Sequence, residues 1–544
     1  MGSEMCIRDS NGSGEASYTA DGVALFMGAV EWSLRSQCQA DSPVIGTSLG
    51  ASMCRTEPAD EDRFVQGGVI VERTDEAQEP NLSSLWVRAL EHVELDGAPH
   101  VYVGGRFQEV FDAHVDGIDG EGASPGISRS GVFGCDLSTG TVTDFEVPIL
   151  IDPLQPVGDT VLNERVRALA FDGTWLYVGG KFRIDPVAFG DVDVPEEDQD
   201  TPVSLIRVDP RTGDIDSDWR PNIRGSVSAL ALHEDWLYVG GGVRLADDAP
   251  ANRLIRIDVS AASTGATDPV WRPNVEATIG LGDFEPFANV LELEVIGDNL
   301  VAGGAFQLID GEPRNSLASF NLASGELTDF APSLGDNNLG TDPIPQIKDV
   351  AEMADGSILA CGDWWVVHPT PGLTWTAYDY DGGAADPNVD PDNWFGQRSK
   401  VQPRPNQFNS GKFDPVTGAA VMVNGAPWGP TTDGGIQACA VDPITDLVIL
   451  GGHYESAGTY VDGFVPEDGR DYPDTHVAYE KITAVDGTTG EIIAWDPDIN
   501  SVRGLDAVEI IPGANGGSSE IIIGGALTTV DRVEREGLAR FPIR

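Results

Sequence analysis

The chain has 544 residues, 33 basic against 88 acidic, for a formal net charge of −55, and its 41% hydrophobic content is enough for a sizeable core. A field of that sign repels nucleic acid and anionic lipid, which are recognised through basic patches that displace counterions, so neither is an expected partner. No apolar run reaches the length of a membrane-spanning helix, so membrane insertion is not expected either.

In chain order, residues 1–20 are polar, and the opening MGSEMCIRDS resembles translated adapter sequence. The N-terminus is therefore expected to be incomplete, with any leader missing. Residues 1–68 show no repeat and read as a separate segment or cap. Within them Cys38 and Cys54 lie close enough in sequence to pair if the protein is exported. Six cysteines are too few for a disulfide framework, and Cys135, Cys361 and Cys439 stand where sister repeats carry small or aliphatic residues, so they read as core filler. The acid is spread along the chain. It reads either as a hydrated surface for a salty or calcium-containing medium or as the composition of a GC-rich genome, and both fit an exported, bacterial, extracellular or cell-surface protein.

From residue 69 onward one unit recurs about seven times, over 69–544. Its clearest phrase is TWLYVGGKF at 174–182, repeated as DWLYVGGGV at 235–243 and HVYVGGRF at 100–107. Aligned on the first glycine, the copies fall at Gly104, Gly179, Gly240, Gly303, Cys361, Gly451 and Gly524. An alternating V-x-A-L strand precedes each phrase, as in VRALAF at 166–171 and VSALAL at 227–232. A third strand typified by VSLIRVD (203–209) follows, then a turn and closing phrase, DPRTGDIDSDWRPN at 209–222. Four short strands per unit with Gly or Asp turns predict an all-β fold, a β-propeller of seven four-stranded blades. Both faces of the second strand are apolar, as in a sheet packed between neighbours. The last copy stops at GLARFPIR, and Glu79-Pro80-Asn81-Leu82 echoes Arg220-Pro221-Asn222-Ile223. An N-terminal strand from 69–90 is therefore expected to complete the last blade and close the ring. Residues 398–435 read as an insertion or a degenerate eighth unit.

LYVGGKF, NRLIRID and DSDWRPNIRGSVSAL (216–230) resemble the delta-60 repeat β-propellers, a bacterial family related in shape to kelch and quinoprotein propellers. The resemblance covers 69–544. It implies an exported or cell-surface propeller and supplies no catalytic residues.

Function is sought in the loops. An aspartate follows the double glycine in several copies, at Asp112, Asp185, Asp247, Asp310 and Asp531, and opens loops expected to share one face. These could gather into a ligand surface, though Asp also simply starts polar turns. For calcium, Asp116, Asp119 and Glu121, and the group Asp379, Asp381, Asp386, Asp390 and Asp392, place several carboxylates beside glycines without the full spacing of an EF-hand loop. Trp364, Trp365, Trp394 and Trp428 lie in the least repeat-like region, either as sugar platforms or, for the first two, as core. Ala484, Asp486, Thr489, Gly490 and Trp495 echo a quinone-docking phrase, but an Asp-capped turn explains them. The expectation is a monomeric, non-catalytic module binding a glycan or protein through acidic variable loops, with Ca²⁺ as the one candidate cofactor. A calcium-assisted polysaccharide hydrolase or lyase is the alternative, and a quinoprotein-type oxidoreductase stands behind it.

Overall fold

The computed structural model describes residues 86–111, 126–150, 165–184, 203–277, 288–335, 344–373, 407–462, 473–513, 518–531 and 537–543, with short pieces at 55–56, 63–66, 69–72, 395–396 and 533–534 and the single residue Ile45. The chain divides into two compact units, Met1–Ser42 and Pro43–Arg544, and every described residue belongs to the second. Among the described residues there is no helix, and none that could cross a membrane. The architecture is the expected one at its coarser level: all-β, repeat-like, and built of many small antiparallel sheets in propeller fashion.

Each V-x-A-L phrase is a first strand that pairs with a second strand carrying the glycines. The first strands are Trp86–Leu95, Arg165–Phe171, Val227–His233, Asn289–Ile296, Gln346–Glu352, Ile436–Val441 and Ile499–Ile511. A third strand adds to the far side of each second strand, as Leu254–Asp258 does to Trp236–Gly241. Every first strand packs against the next one in chain order, and Ile499–Ile511 packs against Trp86–Leu95. The core lies between successive sheets. Ala89 and Tyr102 of one repeat cluster with Val166, Leu169 and Val178 of the next, which is why both faces of a second strand are apolar.

The closing phrase has a structural task. Arg207, from the third strand LIRV, meets Asp216 at 2.6 Å and lies over the rings of Trp175 and Trp219, 5.0 and 5.3 Å from their centroids. Arg256 repeats this with Asp268, Trp236 and Trp271. The charge is thus paired and covered by apolar rings, so it can sit at the sheet edge without a bare desolvation cost.

Two expectations are corrected. Val69–Glu72 pairs with Arg63–Gln66 in a hairpin of its own. The residue that bridges the last repeat's final strand is Ile45, opposite Ile543 and packed on its core, while Arg55–Thr56 pairs with Glu109–Phe111. Glu79-Pro80-Asn81-Leu82 lies outside the described residues. Nor is 407–435 an insertion or an eighth unit. Ser410–Phe413 is the third strand of the fifth copy, pairing with Ile358–Asp363, and a hairpin and the edge strand Thr431–Thr432 follow.

Candidate functional site

In all seven copies the pairing of first and second strands slips at one place, between Val87 and Ala89 in the first and between Val166 and Ala168 in the second, and so on to Leu505 and Ala507 in the last. The skipped residue is the variable x of V-x-A-L. A β-bulge removes that residue from the ladder and re-aims its side chain. The seven bulge residues are Arg88, Arg167, Ser228, Leu291, Lys348, Gln437 and Asp506, and all of them line one cavity of about 700 Å³ between the first strands.

The double glycine makes this bulge possible. A Cβ on Gly180, Gly241 or Gly304 would collide with a backbone carbonyl next to the bulge, on Arg165, Ser226 or Asn289 respectively. The first glycine has a different reason. A Cβ on Gly179 would lie 2.6 Å from Val227 Cγ1 of the next repeat, and one on Gly524 would lie 2.6 Å from Val87 Cγ1 of the first. The phrase that looked like a loop motif is therefore a packing device on one side and a bulge device on the other.

Electrostatically the cavity has two levels. At the bulge level Arg88 Nη1 meets Asp506 Oδ1 at 3.0 Å, and Arg167 Nη1 reaches Ser228 Oγ at 3.4 Å. Arg165, just before its valine, joins them. Burial first, and then the neighbouring guanidiniums of Arg167 and Arg88, depress the Arg165 pKa; burial and Arg88 do the same to Arg167. About three residues further along the strands, roughly 10 Å by strand rise, the lining turns acidic, with Glu91, Glu294 and Glu509. Burial, reinforced by Glu509, raises Glu91 well above the usual carboxylate range. Burial with Asp349 and Glu294 lifts Glu509 to about 8. Glu294 is wetted by the cavity, and burial with Glu352 nearby takes it only to about 7. Asp349 also reaches about 7 by burial, although it accepts hydrogen bonds of 2.8 Å from the N–H groups of Cys439 and Val350.

Beside Asp349 lies a disulfide between Cys361 and Cys439, with Cα atoms 6.4 Å apart. Cys361 occupies the first-glycine position, and Cys439 the position of Leu230 and Leu293, whose Cδ1 atoms lie where Cβ atoms on Gly179 and Gly240 would meet them at 3.2 Å. The bond thus replaces an apolar contact between successive repeats. Cys135 is disulfide-bonded too. The reading of these three cysteines as filler is corrected: each position is buried, but the thiols are spent in covalent bonds. A carboxylate oxygen of Asp349 and the two sulfurs lie within 4.8 Å of one another, yet the sulfurs bond each other, so the trio is not arranged as a metal ligand set.

Three of the loop aspartates cap turns. Asp247, Asp310 and Asp531 are exposed, with φ of 49°, 52° and 51°, at the tips of tight hairpins. Their carboxylates are engaged in the turn. Thr267 donates its N–H and hydroxyl to Asp247 Oδ2 at 2.9 and 2.5 Å, Asn274 N–H donates to Asp310 Oδ1 at 2.8 Å, and Asp498 N–H donates to Asp531 Oδ1 at 3.3 Å. Each carboxylate ties its hairpin to a neighbouring loop, and for the last two that loop is the preceding closing phrase. Asp112, Asp185, Asp116, Asp119, Glu121, Asp379, Asp381, Asp386, Asp390, Asp392 and Trp394 lie outside the described residues. Trp364, Trp365 and Trp428 are buried, at 0%, 2% and 1% exposure, so none of the three offers an open ring to a sugar. Asp486 accepts from Thr488 and Thr489 N–H while Gly490 takes φ 74°. Asp136 and Gly140 repeat the same turn.

The cavity lining was not singled out from sequence. The signal was present in the one position of V-x-A-L that varies from Arg to Leu to Asp while the residue before it is aliphatic in every copy, as expected of a side chain that leaves the sheet. No family model and no curated protein matches the chain. Among solved structures the chain is similar to one titled "Structure of U3-55K", at 11% sequence identity and a TM-score of 0.40, over 84% of this chain and 95% of that one.

Proposed function

We propose that this chain is an exported or cell-surface β-propeller of seven four-stranded blades, akin to the delta-60 repeat propellers it resembles, that binds a small ligand in the cavity between its first strands. The blade count and closure rest on the order of packing, in which the seventh first strand lies against the first and Gly524 fits under Val87. The Ile45–Ile543 bridge supplies an N-terminal contribution to the last sheet. Export is supported by the Cys361–Cys439 disulfide, since such bonds persist in oxidising compartments.

The observation that carries the binding role is the bulge. Seven otherwise equivalent positions turn side chains of six kinds, with Arg twice, into one cavity of ligand size. Side chains that served packing alone would have no reason to leave the ladder there. Hydrolysis is the second reading, because Glu294 near 7 and Glu509 near 8 fall in the range of a general acid.

The test is a thermal-shift screen of neutral and acidic mono- and oligosaccharides, amino acids and carboxylic acids against the intact chain and Leu291→Trp, which places a bulky ring in the cavity. Stabilising compounds whose effect disappears in L291W support the reading. Hits unaffected by L291W would place binding elsewhere, and release of new reducing ends from the same oligosaccharides would move the assignment to a hydrolase.

A further inference from the structure

We propose that the bulge level of the cavity is a site for a small oxyanion, the carboxylate, sulfate or phosphate group of a compound that fits inside it. This rests on the reading of the cavity as the ligand site and names what that site recognises. The chain carries only 33 basic residues against 88 acidic ones. Yet Arg88, Arg167 and Lys348 hold three of the seven bulge positions, Arg165 lines the same level, and Asp506 is the one acid among the seven.

Arg88, Arg165 and Arg167 thus come together on the adjacent first strands of copies one and two, with Asp506 of copy seven the carboxylate beside them, while Lys348, Glu292 and Asp349 line the cavity from copies four and five. Asp506 lies 3.0 Å from Arg88. Arg167 has only the neutral Ser228 hydroxyl at 3.4 Å, and its buried Nε has no hydrogen-bond partner. Buried like charges destabilise one another, and an oxyanion placed among them relieves that repulsion while satisfying the guanidinium fork with paired acceptors. The size and the field of the protein set the ligand class. A long polyanion meets a chain of net charge −55 before it reaches the cavity, whereas a small anion fits within about 700 Å³. Glu509, lifted to about 8 by burial, can donate a hydrogen bond to the hydroxyl-bearing end of such a ligand, and the burial that raises Glu91 lessens its repulsion of an anion.

The experiment is isothermal titration of the intact chain with sodium sulfate, inorganic phosphate, galacturonate and the neutral methyl galactoside, repeated on Arg167→Gln and Asp506→Asn. The expected result is one-to-one binding of at least one oxyanion and none of the neutral sugar. Inorganic anions binding as well as galacturonate would identify a bare oxyanion site; galacturonate alone would identify a sugar acid. Either outcome supports the assignment. R167Q should weaken binding roughly ten- to a hundredfold, the effect of losing one charge-assisted contact. D506N, which releases Arg88 from its carboxylate, should tighten it. A general loss of packing would weaken both variants alike, so the opposite signs separate recognition from folding. Absence of oxyanion binding, or D506N weakening it as R167Q does, overturns the assignment. Binding of the neutral sugar without the oxyanions would overturn it too, while leaving the cavity as the ligand site.

Discussion

Single residues decide where charge can sit in this protein. Glu294 and Asp349 near 7 and Glu509 near 8 hold protons in the fold that the unfolded chain releases near pH 4. Their contribution is full below that value and is lost as pH climbs through 7 to 8. Asp355 works in the other direction. Burial pushes it up, but hydrogen bonds from Lys412 and Ser357 outweigh this and bring it to about 2, so its contribution is lost as pH falls from about 4 toward 2. The urea midpoint is therefore expected to be higher at pH 5 than at pH 8, and the Glu294→Gln/Glu509→Gln variant should flatten that slope. A midpoint that rises with pH, or a slope unchanged in the variant, would show that these carboxyls are not held protonated. None of this was legible in the sequence. Asp310 beside Gly311 was readable as a turn residue, but among 88 acids nothing in the local pattern marks Glu294 as facing a cavity, because that depends on the strand pleat, the bulge and the neighbouring repeat.

At the scale of the element, the repeated phrase was readable as a strand and its glycines as points of close approach. What the strand approaches was not readable, since the partner of the first glycine belongs to the next repeat. The fifth copy shows the logic by exception, with Cys361 and Cys439 bonded where glycine and leucine meet elsewhere. Opening a bond that closes a loop of 78 residues should cost about 2–5 kcal/mol, measured as the loss in unfolding free energy of Cys361→Ser or Cys439→Ser. The Cys361→Gly/Cys439→Leu variant rebuilds the contact of the second and third copies. It should recover part of that loss, and a double variant no better than the single ones would contradict the equivalence of the positions. The tryptophans follow the same rule: alternation in the sequence identified strands, but only packing reveals that Trp364, Trp365 and Trp428 are interior.

For the whole molecule, a period of short strands was enough to specify an all-β repeat architecture. The N-terminal contribution was misplaced. An isolated bridge such as Ile45 to Ile543 has no alternating run to announce it. Ile45 packs on the apolar cluster of the last sheet. Ile45→Asp should therefore destabilise the chain by about 1–3 kcal/mol through a half-buried charge set against that apolar cluster. An unchanged melting temperature would mean that the last sheet does not depend on the N-terminal segment. The second consequence at this scale concerns function. Because the bulge recurs in every copy, the variable residues of seven separated segments meet in one place, and the binding surface we propose is the cavity between the first strands instead of the acidic loops. The most direct measurement is anomalous diffraction from crystals soaked in sodium selenate. The account predicts a selenium peak inside the cavity at the bulge level, beside Arg165 and Arg167, and peaks confined to the outer surface with an empty cavity would contradict it.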